Sequence, residues 1–359
     1  MLKPAYERIY ESLRAKIISG DYAYGSRIPG KRALAEQSGV SVITAAHALD
    51  LLAEEGYIAV RERSGSYVAY YPASEEMPRT EPDPVSSVPR EQPSSIDVEG
   101  FPASVLAKTM RRIITEKMDQ ILSKSPNQGL LPLRQALSHY LARSRGISAE
   151  PDQIIVGSGA EYLYGLLVDL FGVSRSWAIE SPSYEKIGQV YASRGIEPEH
   201  IPLERDGLQS AALWKSKAEI LHVSPYRSYP SDVTASASKR SEYLRWSRQE
   251  GRLIIEDDYE SEFDLRRKPM ESLYVQTDRE NIIYMNTFSR TVSPSIRTGY
   301  MVLPRALLAL YQEKAGFYSC TVPSFEQLLL AELISGGDFE RHIRKVRRRL
   351  RAAAQSVRG

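Results

Sequence analysis

Six short apolar runs, at residues 154–156, 177–179, 220–223, 253–255, 282–285 and 300–303, most constrain what this chain can fold into. They are mostly aliphatic and short, the composition of strands buried on both faces. Helical segments separate most of them, for example residues 160–171 and 239–249. Strand and helix alternating in this way predict an α/β class, with a mostly parallel sheet covered by helices on both faces. No internal repeat is visible.

That rhythm begins only at about residue 96. Residues 1–72 read as a separate compact unit. Ile9, Leu13 and Ile17 recur at helical spacing, and Gly20 can end that helix. A second short helix fits residues 31–38, and Gly39 supplies a turn. Ser41 can cap a third helix running to Glu55, with Gly56 to terminate it. Two β-like runs follow, at 57–60 and 67–71. Three helices and a hairpin are the layout of a winged helix-turn-helix. Between the two units, residues 73–95 carry prolines at 78, 82, 84, 89 and 93 among serines and acids. Such a composition buries little surface and predicts a semi-extended linker. The expected domains are therefore 1–72, the linker 73–95, and 96–359.

Charge alone argues for no nucleic-acid partner. The chain carries a net +2, and residues 1–72 hold 9 basic and 8 acidic side chains. On that count the unit is a small packing domain with a solvated face. Placement reverses the reading. A helix entering the major groove offers its first residues to base edges, here Ser41, Val42, Thr44 and His47. Val42 can touch a thymine methyl, and the hydroxyls can bond a base edge or phosphate. Lys31 and Arg32 open the preceding helix and can reach phosphates, and Arg61 and Arg63 flank the wing tip. Double-stranded operator DNA is the expected partner.

A single cysteine, Cys320, excludes an intrachain disulfide and fits a reducing cytoplasm. The charged, amphipathic N-terminus is not a signal peptide, and no long uncharged apolar run predicts a membrane span. No metal site is expected.

Two segments carry chemistry. The turn VGSGAE at 156–161 joins a strand to a helix, whose first backbone N–H groups can hold a phosphate; many α/β proteins use such a turn for packing only. The run at 254–258 ends in Glu256, Asp257 and Asp258, which places carboxylates at the sheet's C-terminal edge, where ligands sit in this architecture. A plain acidic strand end has the same composition.

Residues 28–36 (IPGKRALAE), 39–41 (GVS) and 51–57 (LLAEEGY) resemble the GntR-type winged helix, with Gly30 where that family usually has serine. The stretches IIEDDYESE (254–262) and NTFSRTVSPSIRTGY (286–300) resemble the cofactor site of fold-type-I aminotransferases, in the version carried by MocR-type transcription regulators. The resemblance implies a large domain of the pyridoxal phosphate (PLP)-dependent transferase fold. It implies a phosphate held at Gly159, Ala160 and Glu161 with Ser289 and Arg297, a ring nitrogen on Asp257, a phenolic oxygen on Tyr259 and stacking by Tyr184. The family's Schiff-base lysine is replaced by Arg290. A guanidinium stays protonated at accessible pH and cannot take up that chemistry. No catalytic residue is therefore expected, and PLP is expected to bind noncovalently or not at all. Arg290 can attract an anion instead, or pair with Asp257.

Two further departures lie in the segment SPYRSYPSD at 224–232, where Arg227 replaces a family histidine and Asp232 a family glycine. Aspartate adopts positive φ less readily than glycine, so a reshaped loop is expected. Residues 339–348 resemble the helix leading into the family's C-terminal small domain, which is expected to be missing. The eight Lys and Arg between 341 and 359 read as a solvated helix face rather than a nucleic-acid tail. The expected function is a DNA-binding transcription regulator, homodimeric, whose large domain mediates dimerisation and meets a small amino compound or phosphate ligand. Two alternatives stand beside it: an aminotransferase with a DNA-binding appendage, and a degenerate regulator that binds DNA without sensing.

Overall fold

The computed structural model describes residues 3–61, 64–71, 100–266, 270–276 and 281–356. The linker at 73–95 and Arg63 lie outside the described residues. Contacts divide the chain into two units, one holding the N-terminal segment together with residues 235–246, the other holding most of the rest.

In the first unit, helices α1 (Ala5–Ile18), α2 (Lys31–Ser38) and α3 (Val42–Glu54) precede strands β1 (Ile58–Arg61) and β2 (Gly65–Val68). Ile9, Leu13 and Ile17 are buried as their spacing requires, against Leu34, Ala45, Ala48 and Leu52. Each Ile or Leu side chain among them, removed from water, contributes about 1.5–3 kcal/mol before entropy is counted. Gly39 takes φ 63, the left-handed conformation that ends α2 and turns the chain into α3. Ser41 caps α3, its Oγ accepting from Thr44 N at 3.1 Å. The hairpin differs from the sequence reading at its second strand. β2 spans Gly65–Val68 rather than 67–71, because Arg61 pairs with Gly65 and Ile58 with Val68. Beyond that register, the Ala69 and Tyr70 amides both turn onto the Tyr57 carbonyl. The helix at Ala237–Ser247 belongs largely to this unit. There Ser238 Oγ accepts from Tyr71 N at 2.8 Å, and Ser241 Oγ lies 3.0 Å from Tyr70 Oη.

In chain order the second unit carries α4 (Ala103–Glu116), α5 (Met118–Leu122), α6 (Leu131–Ser144), β3 (Ile154–Gly157), α7 (Ala160–Phe171), β4 (Trp177–Ser181), α8 (Glu185–Ser193), β5 (Glu199–Glu204), β6 (Gly207–Leu208), α9 (Ser210–Lys215) and β7 (Ile220–Val223). After the helix at Ala237–Ser247, here α10, come β8 (Leu253–Asp257), β9 (Ile282–Thr287), β10 (Gly299–Val302), α11 (Leu308–Lys314), α12 (Ser324–Ser335) and α13 (Asp338–Ser356). The eight strands run in the order β3-β10-β9-β8-β7-β4-β5-β6. From β9 through β8, β7 and β4 to β5 the pairing is parallel, while β10 is antiparallel to both β9 and β3. All six predicted runs are strands, and α10 begins two residues before the expected 239. β5 was not anticipated. Only Ile201 and Leu203 of its six residues are buried, so its apolar signal is diluted by Glu199, His200, Pro202 and Glu204.

The topology decides where chemistry collects. Because β10 is antiparallel to both neighbours, β3 and β9 point the same way. The segments leaving β3, β4, β7, β8 and β9 therefore emerge at one edge of the sheet, and the segment entering β10 arrives there.

Candidate functional site

The acids at the end of β8 separate by strand alternation. Glu256 is satisfied by Ser272 Oγ (2.6 Å), Leu273 N (2.8 Å) and Tyr274 N (3.0 Å). Asp258 accepts from Tyr284 Oη at 2.7 Å and Ser261 Oγ at 2.8 Å, and pairs with Arg145 Nη2 at 2.7 Å. Asp257, between them, turns to the side of α7 and α8. Its Oδ2 accepts from Tyr164 Oη at 2.5 Å and lies 3.6 Å from His222 Nε2, while His222 Nδ1 is 2.8 Å from Tyr191 Oη. Its Oδ1 is buried and has no hydrogen-bond partner among the described residues. An orphaned buried carboxylate oxygen is costly unless a ligand N–H completes it. A protonated ring nitrogen supplies such a donor, so this position fits the pyridine of PLP. Tyr164, His222 and Tyr191 were not read as site residues; they come from separate elements, and nothing in their spacing links them.

The turn after β3 also fits an anion. Gly159 has φ 86 and caps α7 without a side-chain bond, leaving the first amides of that helix for another acceptor. A Cβ on Gly159 would stand 3.2 Å from Arg297 Nη2, a tight contact, and the positive φ itself favours glycine at this turn. Glu161, in the first turn of α7, holds Lys186 Nζ at 2.6 Å and Arg297 Nη2 at 3.5 Å. Lys186 is a second cation here that the sequence reading missed. Ser289 Oγ donates to the Ile296 carbonyl at 3.2 Å. Tyr184 opens α8 with its ring partly exposed, edge-on to Tyr229 at 5.9 Å. Burial, reinforced by Glu260, raises the Tyr259 phenol well above its ordinary value and keeps it a hydrogen-bond donor at neutral pH.

Arg290 does not pair with Asp257. Its Nη2 meets Glu260 Oε1 in a short contact, and Glu260 Oε2 takes Arg227 Nη1 at 2.9 Å. Arg227 Nε also donates to Asp232 Oδ1 at 2.7 Å. Both replaced loop positions are thus joined in one ion pair, and Asp232 does adopt the left-handed φ of 58. The loop is anchored from below by Glu180, which accepts from Ser224 N (3.1 Å) and Ser228 Oγ (2.7 Å); burial pushes its carboxyl up to about 7. The residues present match the ring and phosphate of PLP but offer no amine at the position of its aldehyde.

In the first unit, Lys31 and Arg32 are exposed at the start of α2, and Ser41 and Val42 at the start of α3. Ser41 and Thr44 share a hydroxyl contact of 2.8 Å. Ile43, not read from the sequence, is 83% exposed, the most open large apolar side chain among the described residues. His47 lies lower on α3, stacked on Tyr6 with ring centroids 4.2 Å apart. Arg61 packs its guanidinium 4.7 Å over the Tyr67 ring at the wing. Gly30 is the N-cap of α2 and makes no side-chain bond, as expected of a glycine in place of serine. Among the described residues no helix is long and apolar enough to cross a membrane, and no cluster of three or more His, Cys, Asp or Glu is placed to hold a metal.

Residues 5–68 match the bacterial regulatory proteins of the gntR family, and residues 97–359 match aminotransferase class I and II. The HTH-type transcriptional regulator YdeL of Bacillus subtilis is 30% identical over 353 residues, covering 96% of this chain and 76% of that protein. The probable rhizopine catabolism regulatory protein MocR of Rhizobium meliloti is 28% identical over 383 residues, covering 99% and 76%. An archaeal alanine:glyoxylate aminotransferase superimposes with TM-score 0.62 at 20% identity, over 67% of this chain and 62% of that one, which establishes the fold alone. The chain spans less than two thirds of that aminotransferase. It belongs to the MocR-type HTH transcriptional regulators, DNA-binding proteins in which a gntR-family winged helix is joined to an aminotransferase-like domain.

Proposed function

We propose that this regulator acts as a cytoplasmic homodimer that binds its operator through α3 and the wing, and that its large domain takes a phosphorylated pyridine such as PLP without covalent attachment. Lys31, Arg32 and Arg61 would neutralise phosphates, while Ser41, Val42, Ile43 and Thr44 face base edges. In the large domain Gly159, Ala160 and Glu161 at the start of α7, with Ser289 and Arg297, would receive the phosphate. Asp257 would take the ring nitrogen, Tyr259 the phenolic oxygen and Tyr184 the ring face.

One observation carries the noncovalent reading: Arg290 stands where the family's lysine would, and its guanidinium is committed to Glu260. A guanidinium is protonated at accessible pH and has no lone pair for an aldehyde. PLP, when bound in such a pocket, would supply charge and shape for recognition, not a route to transamination, which needs an amine to shuttle the proton. The test is a PLP titration of the protein and of Arg290→Lys, followed by absorbance and borohydride trapping with mass analysis. The expected result is no reducible adduct on the parent and a single adduct on the lysine variant. A reducible adduct on the parent would show that another lysine has taken over; no adduct and no binding in either form would remove the pocket from the proposal.

A further inference from the structure

We infer that Arg27, which lies outside both the helix-turn-helix and the hairpin, joins Arg61 in a clasp for the DNA backbone on the outer face of the wing, and that Gly65 is the residue that seats it. The inference rests on the reading that α3 and the wing meet operator DNA.

The segment before α2 adds a third edge to the wing. The Ile28 amide donates to the Ser66 carbonyl at 3.0 Å and the Val68 amide to the Ser26 carbonyl at 2.9 Å, which sets Arg27 opposite Tyr67. On the other side of β2, Tyr67 faces Ala59 and Gly65 faces Arg61. Side chains alternate across a sheet, and Ile28, Ile58, Ser66 and Val68 are the buried set. Arg27, Arg61, Gly65 and Tyr67 therefore share the outer face.

On that face both guanidiniums are folded back onto β2. A Cβ added to Gly65 would stand 3.0, 3.2 and 3.5 Å from Nε, Nη2 and Cζ of Arg27, so the guanidinium lies across the place a side chain would fill. Gly65 also has φ 117, a conformation that residues other than glycine rarely adopt. Arg61 Cζ sits 4.7 Å over the Tyr67 ring, and that ring is tethered by its hydroxyl, 2.8 Å from Ser64 Oγ. Neither guanidinium has a carboxylate partner among the described residues.

Two cations held on one small face without a counter-charge repel each other. An anion arriving there relieves the repulsion and gains charge-assisted hydrogen bonds. Posture selects the kind of anion. An arginine that reads the minor groove reaches out from the protein and into the groove. Arg27 and Arg61 lie along the strand instead and present a shallow layer of N–H donors. Such a layer suits a phosphodiester passing over the surface, a contact that positions the duplex and carries no base preference.

The experiment takes a duplex enriched by the full chain from a random-sequence library and measures its affinity by fluorescence anisotropy between about 50 and 200 mM salt. Arg27→Gln is expected to lower the slope of log affinity against log salt by about 0.9, so that its deficit shrinks about threefold across that range, while Arg27→Lys keeps the slope. A methylphosphonate is then placed at one linkage at a time, which removes a phosphate charge and keeps the base sequence. The expected result is one linkage, or two adjacent ones, whose neutralisation costs the parent about threefold and Arg27→Gln under about twofold, with Arg61→Gln insensitive at the same stretch of strand. Circular dichroism checks folding, and Arg27→Ala carries the test where Arg27→Gln does not. An unchanged slope in Arg27→Gln overturns the clasp while leaving operator binding intact, as does a lowered slope with every linkage still felt as in the parent. So does insensitivity of the two variants at linkages on opposite strands. A library from which the parent enriches no duplex overturns both.

Discussion

Arg145 offers the sharpest physical test of the large domain. It reaches Asp258 at 2.7 Å with side chains 3% and 1% exposed. Burial alone would lower its basicity, but Asp258, with Tyr284, Glu256 and Glu262, reverses this and holds it charged. The same region pushes two carboxyls up to about 7, Glu256 and Glu262, by burial first and by the Asp258 charge second. Replacing Arg145 by leucine leaves Asp258 buried without its cation, at a cost of about 3–5 kcal/mol at pH 8. The sign with pH follows from which state binds protons. Burial already raises Asp258, and Arg145 is the largest influence opposing that rise, so the variant lifts it further. A carboxyl raised in the folded state gives stability that is complete below its unfolded value of about 4 and lost as pH climbs through the folded value, at about 1.4 kcal/mol per pH unit. The deficit of Arg145→Leu relative to the parent should therefore shrink to under about 2 kcal/mol at pH 5. The parent should itself lose stability between pH 5 and 8 through Glu256 and Glu262. Urea unfolding of a Trp214→Phe, Trp246→Phe background, followed by fluorescence of the buried Trp177 at pH 5, 6.5 and 8, reads both effects. A deficit independent of pH, or below about 1 kcal/mol throughout, would refute the electrostatic account.

Three further outcomes concern the DNA-binding unit. Arg32→Ala should weaken operator binding on every sequence and reduce the slope of log affinity against log salt by about 0.9, read by fluorescence anisotropy at several salt concentrations. Ile43→Ala should lower the preference for operator over scrambled DNA by about 1 kcal/mol with the salt slope unchanged; a changed slope and intact preference would place Ile43 away from the bases. Gly30→Ser should raise the melting temperature slightly, by a few tenths of a kcal/mol of capping energy. A side chain there meets nothing within 4 Å, so no clash offsets the gain.

Strands β3, β4, β7, β8, β9 and β10 were legible in the sequence because burial on both faces leaves an unbroken apolar run. β5 was not, since only its inward residues are apolar. The helix-turn-helix was legible at Gly39 and Ser41, whose backbone demands are local. The surroundings of Asp257 were legible only in part. Resemblance chose it among three acids, but the reason it differs lies in Tyr164 and His222, brought in from α7 and β7. Arg290 was expected either to face an anion or to pair with Asp257, and its partner is Glu260, which lies in the 254–262 stretch but was given no role there. Ile43 was overlooked because an apolar residue at a helix start reads as core until the opposite face is seen to be filled by Ala45, Ala48, Leu49 and Leu52.

The convergence of loops on one sheet edge has a consequence for how such a protein changes over generations. The strands beneath that edge carry the folding free energy, and the rim above is where the proposed recognition chemistry collects. A residue can be exchanged at the rim, as at positions 227, 232 and 290, without a toll on the strand ladder. Ligand preference in this architecture can therefore drift faster than shape. Random mutagenesis scored separately for expression and for ligand response should sort substitutions accordingly, with rim positions tolerant in the first screen and decisive in the second.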